Sequence, residues 1–162
     1  GIPANPFTGI LMIGAVVFGA ATSLSGVAAD RIGRRRWLIW VTVAIIALGL
    51  AMSLFLEHAT PVGVLTFIVV GMSIMGFTFG PMAALLPELF PTNVRYSGSS
   101  LAYNLAAIVG ASVATIVAIE LNARFGLIGV GVYLAINGVL SLLALLSIHE
   151  TKDESLLENP VA

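Results

Sequence analysis

The chain has 162 residues, of which 59% are hydrophobic and only 9% are charged, and its formal net charge at pH 7 is -1. A water-soluble domain needs charged faces on most of its elements, so this composition excludes an ordinary soluble domain and indicates an integral membrane protein. The chain has no cysteine, which excludes disulfides and thiolate metal sites. Because it begins with glycine and no signal-peptide pattern precedes its first apolar segment, we interpret it as a piece of a longer protein.

Five apolar segments are long enough to cross a bilayer as helices. A helix needs about 20 residues to cross a hydrocarbon core of about 30 Å. We therefore predict an all-α membrane protein with a transmembrane domain over residues 1–148 and a charged cytoplasmic tail over residues 149–162. The predicted spans are residues 7–28, 37–56, 62–86, 99–121 and 128–148.

The link between the first two spans sets the predicted orientation. Residues 26–36 have the sequence G-V-A-A-D-R-I-G-R-R-R, with four arginines. Arginine-rich loops resist translocation, so this loop is expected on the cytoplasmic side. Six of the seven basic residues then lie inside and only Arg124 lies outside. The N-terminus is accordingly predicted outside and the C-terminus in the cytoplasm.

The first two spans differ in their small residues. Ala15, Gly19 and Ser23 recur every four residues in the first span, a spacing that predicts close contact with a neighbouring helix. The second span is aliphatic and lacks such a pattern, so we expect it at the lipid-facing periphery. Trp37 and Trp40 at its inner end are typical of an interfacial aromatic belt.

Gly80 and Pro81 form a candidate hinge in the third span. Proline has no N–H for the carbonyl four residues earlier, here that of Phe77, so a bend is expected. Inside a membrane the freed carbonyl needs a substitute donor, which Thr78 or a packed neighbour could supply. The bend could serve as a gate or be a static kink, and the sequence leaves both open.

The next link, residues 87–98, returns to the side of the arginine loop. Its Glu88 and Arg95 therefore lie at the level of Asp30 and the loop arginines. An exposed ion pair there would contribute only about 0–1 kcal/mol, whereas a partly buried network would contribute more. A solvated charged loop is the alternative.

The fourth span has a continuous small-residue stripe, which predicts close contact with another helix along its length. Tyr103 and Asn104 lie beside it near the inner end, and Asn137 lies in the last span. Polar residues in a span are candidates for lining a cavity, with interhelical hydrogen bonding as the alternative. The stripe consists of Ala102, Ala106, Gly110, Ala114 and Ala118.

Between the second and third spans, Glu57 and His58 are interpreted as a polar turn rather than a metal site.

Three local matches point to one transporter family. Residues 26–35 resemble the loop motif G-x-x-x-D-R-x-G-R-R of the major facilitator superfamily. Residues 87–105 are similar to the segment between the tenth and eleventh helices of its metabolite:proton symporter family, and their sequence is P-E-L-F-P-T-N-V-R-Y-S-G-S-S-L-A-Y-N-L. The E-T-K at residues 150–152 resembles the end of such chains. The resemblance implies a partial C-terminal half-bundle, from the eighth to the twelfth helix, that lacks the N-terminal half and the seventh helix.

The resemblance also implies roles for the loop residues. In such carriers two halves enclose a central site that opens to each side in turn. Asp30 would point at the positive end of a helix in the opposite half, and arginines would complete the charged contacts of the inner loops. Gly26 and Gly33 would permit close packing and a tight turn. The arginines concerned are Arg31, Arg34 and Arg35.

The predicted function is therefore the C-terminal part of a secondary transporter in a bacterial inner membrane, which carries a small organic solute together with a proton. Its partners would be that solute, the proton, the lipid bilayer and the missing N-terminal half. The alternative is a five-helix membrane fragment or scaffold that transports nothing. We expect no enzymatic activity, cofactor, metal or nucleic acid, since the sequence has neither paired catalytic groups at membrane-accessible depth nor a phosphate-binding glycine loop.

Overall fold

The computed structural model describes residues 4–56 and 60–147 of the chain, and all five elements it contains there are helices. Three of them are long and apolar enough to cross a membrane, over residues 7–32, 61–88 and 95–147. Glu57, His58 and the tail at 149–162 lie outside the described residues. The helices are α1 (Ala4–Ile32), α2 (Arg34–Leu50), α3 (Met52–Leu56), α4 (Pro61–Glu88) and α5 (Arg95–Ser147).

Three predicted spans are divided differently in the structure. The second span consists of α2 and α3, which are separated at Ala51. The fourth and fifth spans are joined in α5, where Gly126, with φ 65° and ψ -158°, is the single non-helical residue. The predicted link is shorter than expected because its residues continue the helix, and Arg124 forms an (i, i+4) ion pair with Glu120 on the helix surface.

The start of α4 follows from its sequence. Pro61 lies in the first turn, where a missing N–H costs nothing because that group has no intrahelical partner. Thr60 precedes it with extended backbone angles, and its side-chain oxygen accepts a hydrogen bond from the N–H of Gly63 at 3.1 Å. This is the usual N-cap arrangement, and it fixes where the helix begins.

α1 packs most extensively against α4, but not through the predicted stripe. Ala15, Gly19 and Ser23 are exposed, and a Cβ added at Gly19 would meet nothing within 4 Å. No residue in the described part of the chain therefore makes the close contact predicted for this stripe. The neighbouring face of α1 is buried instead, because glycines of α4 let the two backbones approach there. Its buried residues are Ile10, Gly14, Ala21, Ser25 and Ala29.

α2 lies among the other helices rather than at the edge of the bundle. It contacts α1, α4 and α5, and its buried residues include Leu38 and Thr42. A Cβ added at Gly49 would lie 2.8 Å from the carbonyl oxygen of Gly131 in α5, so the two backbones are in direct contact. The expectation of a second span at the lipid-facing periphery does not hold for this face of α2, where Gly49 and Gly131 form a close contact that a four-residue pattern does not reveal. Trp40, Val43 and Leu50 of α2 are nevertheless exposed.

The first half of α5, residues 95–125, is largely exposed. Of its predicted stripe, Ala106 and Gly110 are exposed, and a Cβ added at Gly110 would meet nothing within 4 Å. The close helix contact predicted along this stripe is therefore not made by any residue in the described part of the chain. The second half, residues 127–147, holds the buried residues that pack against α2 and α3.

Candidate functional site at the basic end of the bundle

The hairpin between α1 and α2 turns on one residue. Gly33 has φ 109° and ψ 127°, is buried, and is the single residue between the two helices. Its N–H donates to the carbonyl of Ala29 at 2.8 Å, and its own carbonyl accepts from the N–H of Trp37 at 3.0 Å. Residues with a side chain rarely adopt such a φ, so the turn depends on glycine at this position.

We expect Gly33→Ala to destabilise the complete transporter by about 1–3 kcal/mol, because an L-residue at this φ is strained. Thermal inactivation of the purified protein in detergent measures the effect. Gly19→Ala is the matched control, since Gly19 lies in the same helical hairpin, is helical, and has open space around it. Equal inactivation temperatures for the two variants would contradict the importance of the turn.

Arg34 joins the hairpin to the end of α4. Its guanidinium pairs with Asp30 one turn earlier at 3.0 Å and also with Glu88, the last residue of α4. The Arg34 and Glu88 side chains are only 24% and 19% exposed, whereas Asp30 is 63% exposed. The hydrogen bond to the Glu88 carboxylate raises the pKa of Arg34 above its ordinary value. The meeting of opposite charges that the sequence suggested thus brings together Asp30, Arg34 and Glu88.

Arg35 contacts the end of α5. Its Nε donates to the carbonyl of Leu145 at 2.8 Å, and one of its terminal nitrogens donates to the carbonyl of Leu146 at 2.9 Å. Arg35 therefore joins the start of α2 to the last described turn of α5. We call the region where Gly33, Glu88 and Leu145 lie the basic end of the bundle.

The other charged and glycine candidates of the two loops occupy less central positions. Arg95 donates to the carbonyl of Phe90 at 3.3 Å, within its own loop, rather than to an acid of the hairpin. Arg31 is exposed in the last turn of α1. A Cβ added at Gly26 would meet nothing within 4 Å, so the structure shows no neighbour that requires glycine there.

Gly80 and Pro81 lie in the contact between α4 and α1. Pro81 is buried, and α4 continues through it as a helix. A Cβ added at Gly80 would lie 2.6 Å from the carbonyl oxygen of Thr22 and would overlap the hydroxyl of Ser25. The two helices therefore touch at the candidate hinge.

The carbonyl of Phe77 has a donor that the sequence analysis did not identify. Trp37 donates its indole N–H to this carbonyl at 3.1 Å, whereas Thr78 donates to the carbonyl of Ile74 in its own helix at 3.0 Å. Of the two sources considered from the sequence, the packed neighbour is the one observed. The missing donor at Pro81 is the available signal in the sequence, but nothing in the sequence indicates that Trp37 lies beside the Phe77 carbonyl.

The candidate cavity residues Tyr103 and Asn104 lie on the exposed first half of α5, away from the basic cluster of the hairpin. The side-chain nitrogen of Asn104 donates to the carbonyl of Ser100, and that of Asn137 donates to the carbonyl of Tyr133, both at 2.8 Å. These bonds are within one helix, so neither asparagine makes the interhelical bond considered from the sequence. Among residues 4–56 and 60–147, no group of three or more His, Asp or Glu residues could hold a metal ion.

The sequence as a whole matches a known transporter family. The family model described as "Sugar (and other) transporter" matches residues 3–162, nearly the entire chain. The chain belongs to the sugar (and other) transporter family. The resemblance to the major facilitator superfamily is thereby confirmed, and with it an all-α, partial membrane bundle.

Relatives in the sugar (and other) transporter family include bacterial transport proteins. A Haemophilus influenzae protein named "Putative metabolite transport protein" is 65% identical over 98% of this chain, which covers 36% of that relative. The "Inner membrane metabolite transport protein YhjE" of Escherichia coli is 46% identical over 96% of this chain and 36% of its own length. A Salmonella typhimurium "Proline/betaine transporter" is 28% identical over 91% of this chain and 30% of its own length. The chain thus spans about a third of the relatives it matches, and no solved structure matches it.

Proposed function

We propose that this chain is the C-terminal part of a secondary active transporter that carries a small organic solute together with a proton by alternating access. The observation that carries the proposal is the arginine cluster of the α1–α2 hairpin, which ties the ends of two other helices, α4 and α5, to the hairpin. Arg34 joins α1 to α4, and Arg35 joins α2 to α5. In a family of transporters, such a cluster is suited to hold one side of the carrier closed while the other side is open.

The basic end of the bundle is proposed to face the cytoplasm. The hairpin brings Arg31, Arg34, Arg35 and Arg36 to this end, and the link after Glu88 adds Arg95. Five of the six arginines are therefore at one end, as expected for cytoplasmic loops of a bacterial inner-membrane protein. This proposal places the C-terminal end of α5 inside, because Arg35 contacts it.

Asp30 is proposed to reach beyond this chain. Although it pairs with Arg34, its side chain remains 63% exposed at the tip of the hairpin. An exposed carboxylate there can approach the positive N-terminus of a helix supplied by the remaining two thirds of the transporter. Opening of the inner side would then break this contact while leaving the more buried Arg34–Glu88 pair in place.

The substrate class is proposed to be a small organic acid or a betaine-like solute. Two kinds of relative support this proposal, those named for metabolite transport and those named for proline and betaine. Of the three acids with described side chains, Asp30 and Glu88 lie at helix ends, and Glu120 lies shortly before the break at Gly126 in α5. A proton-carrying acid at membrane depth would then be supplied by the rest of the transporter.

Uptake by the complete transporter, reconstituted in liposomes, tests the proposal. A panel of organic acids and betaines is offered with and without an inward proton gradient, and we expect at least one solute to accumulate only when the gradient is imposed. Equal uptake with and without the proton gradient would refute proton coupling. If no solute enters although the protein is folded and inserted, the alternative of a non-transporting membrane scaffold would replace the proposal.

Asp30→Asn is expected to lower the uptake rate of the complete transporter about tenfold, since loss of about 1.4 kcal/mol from a charged contact corresponds to that factor. The variant should remain folded, because Asp30 is mostly exposed and its pair with Arg34 is an (i, i+4) surface pair. Uptake per folded protein is the measurement. Unchanged uptake by Asp30→Asn would contradict the proposed role of the hairpin in closing the inner side.

A further inference from the structure

The interrupted turn of α4 is completed by a residue from another helix. Pro81 has no N–H, so the carbonyl of Phe77 has no intrahelical donor, and such a group is costly to leave unpaired in an apolar environment. Trp37 donates its indole N–H to this carbonyl at 3.1 Å. The Trp37 and Phe77 rings also meet edge to face, with centroids 5.8 Å apart and an interplanar angle of 82°.

The same turn also contacts α1. The Ser25 hydroxyl is buried and lies 3.2 Å from the carbonyl oxygen of Gly76 and 2.9 Å from that of Thr22, so its single proton is shared between the two helices. Gly80 lies directly against the backbone of Thr22. Both helices of the hairpin therefore contact α4 within the turn that Pro81 interrupts.

The hairpin also contacts α4 beyond the proline. Arg34 pairs with Glu88, while Trp37, three residues later on α2, bonds to the carbonyl of Phe77. Phe77 and Glu88 lie on opposite sides of Pro81 along α4. The start of α2 thus bridges the interrupted turn and holds the helix on both sides of it.

We propose that Trp37 is a positioning residue that fixes the Pro81 turn to the α1–α2 hairpin, so that the end of α4 moves together with the hairpin as one body. The turn is then a static kink relative to the hairpin, and any opening at the basic end displaces both together. The effect on transport rests on the proposed function, but the stabilisation of the Pro81 turn by the Trp37–Phe77 hydrogen bond does not. Trp37 would be the residue that couples movement of the α1–α2 hairpin to the Pro81 turn itself, alongside the Arg34–Glu88 pair at the end of α4.

A double-mutant cycle in the complete transporter tests the proposal. Trp37→Phe keeps an aromatic ring and removes the donor, whereas Pro81→Ala restores a backbone N–H that can bond to the carbonyl of Phe77. We expect Trp37→Phe alone to lower the maximal uptake rate per folded protein about fivefold, the factor for one lost hydrogen bond, without changing KM. With Pro81→Ala present, Trp37→Phe should change the rate less than twofold.

Trp40→Phe is the matched control. Trp40 lies one turn further along α2 and lines the same apolar groove of about 230 Å³ between α2 and α4 as Trp37 does. We expect its replacement to leave uptake and thermal inactivation unchanged. Equal losses for Trp37→Phe and Trp40→Phe would show that aromatic packing, rather than the hydrogen bond, matters, and would overturn the proposal.

Thermal inactivation in detergent separates this proposal from the proposed function. Trp37→Phe should lower the inactivation temperature in the natural background and much less when Pro81→Ala is present. Additive effects of the two substitutions would overturn the role of Trp37 whether or not the protein transports. A further outcome is that the effects of Trp37→Phe and Pro81→Ala on the inactivation temperature are not additive while no variant gives uptake. In that case the proposed function fails, but the proposed role of the bond between Trp37 and α4 is supported.

Discussion

Replacing Gly80 with alanine is expected to destabilise the transporter by about 1–3 kcal/mol or more, because the new methyl group has no space between α1 and α4. It would lie 2.6 Å from the carbonyl oxygen of Thr22, which belongs to the backbone of α1 and cannot turn away. The hydroxyl of Ser25 could rotate, but only by giving up its bond to the carbonyl of Gly76. The two helices would have to separate at their closest approach.

Gly9→Ala is the matched control for Gly80→Ala. Gly9 also lies inside a helix, but an added Cβ there would meet nothing within 4 Å. Alanine favours helix over glycine by about 1 kcal/mol, so Gly9→Ala should be neutral or stabilising. The yield of monodisperse protein after heating in detergent measures both variants. A Gly80→Ala protein as heat-resistant as the Gly9→Ala protein would contradict the tight contact.

The second large effect is expected for Glu88→Gln, which removes the charge that Arg34 faces at the end of α4. Both side chains are mostly covered, so the arginine is left with a partner that bonds less strongly and has no charge. The expected loss of stability is about 1–3 kcal/mol. We also expect the maximal uptake rate to fall, since one of the contacts that tie the end of α4 to the hairpin would be weakened.

Glu120→Gln provides the comparison for Glu88→Gln. Glu120 also forms an ion pair with an arginine, Arg124, but both partners are exposed and lie one turn apart on α5. Such surface pairs contribute at most about 0.5 kcal/mol. Thermal inactivation in low and high salt distinguishes the two pairs. Equal and small effects for both substitutions would mean that the cluster at Arg34 is a solvated charged loop.

The positions of the helices could be predicted largely from hydropathy, because the bilayer requires long apolar helices whatever their neighbours. The breaks between the helices are harder to predict from hydropathy. Gly33 ends a helix through a backbone angle, and the loop motif indicated a tight turn there. Gly126 forms a break of similar brevity within α5, but the polar residues before it suggested a longer link.

Which helix faces meet could not be predicted from small-residue spacing alone. Ala15, Gly19 and Ser23 have the expected spacing, yet they are exposed. The face containing Gly14 and Ser25 is used instead, because the position of a contact depends on glycines of the partner helix as well. A stripe on one helix therefore indicates that close packing is possible and does not identify the partner.

The candidate site was predicted in part. The loop arginines and Glu88 could be placed at one end of the bundle from topology, and the structure brings Arg34 and Glu88 together. Arg95 was expected to join them, but it bonds to the nearby carbonyl of Phe90 because that oxygen lies within its own loop. The need for a donor at the carbonyl of Phe77 follows from Pro81. That Trp37 is this donor depends on the orientation of α2 about its own axis relative to α4.

The contact between Arg35 and α5 has a consequence for biosynthesis. Leu145 is synthesised 110 residues after Arg35, an interval of about 5–20 s at ordinary ribosomal rates. The hairpin therefore lacks its contact with α5 while the three further helices, α3, α4 and α5, are inserted. The end of α5 can contact Arg35 only after Leu145 has been synthesised, so this bond forms later in assembly than the contacts between α1 and α2.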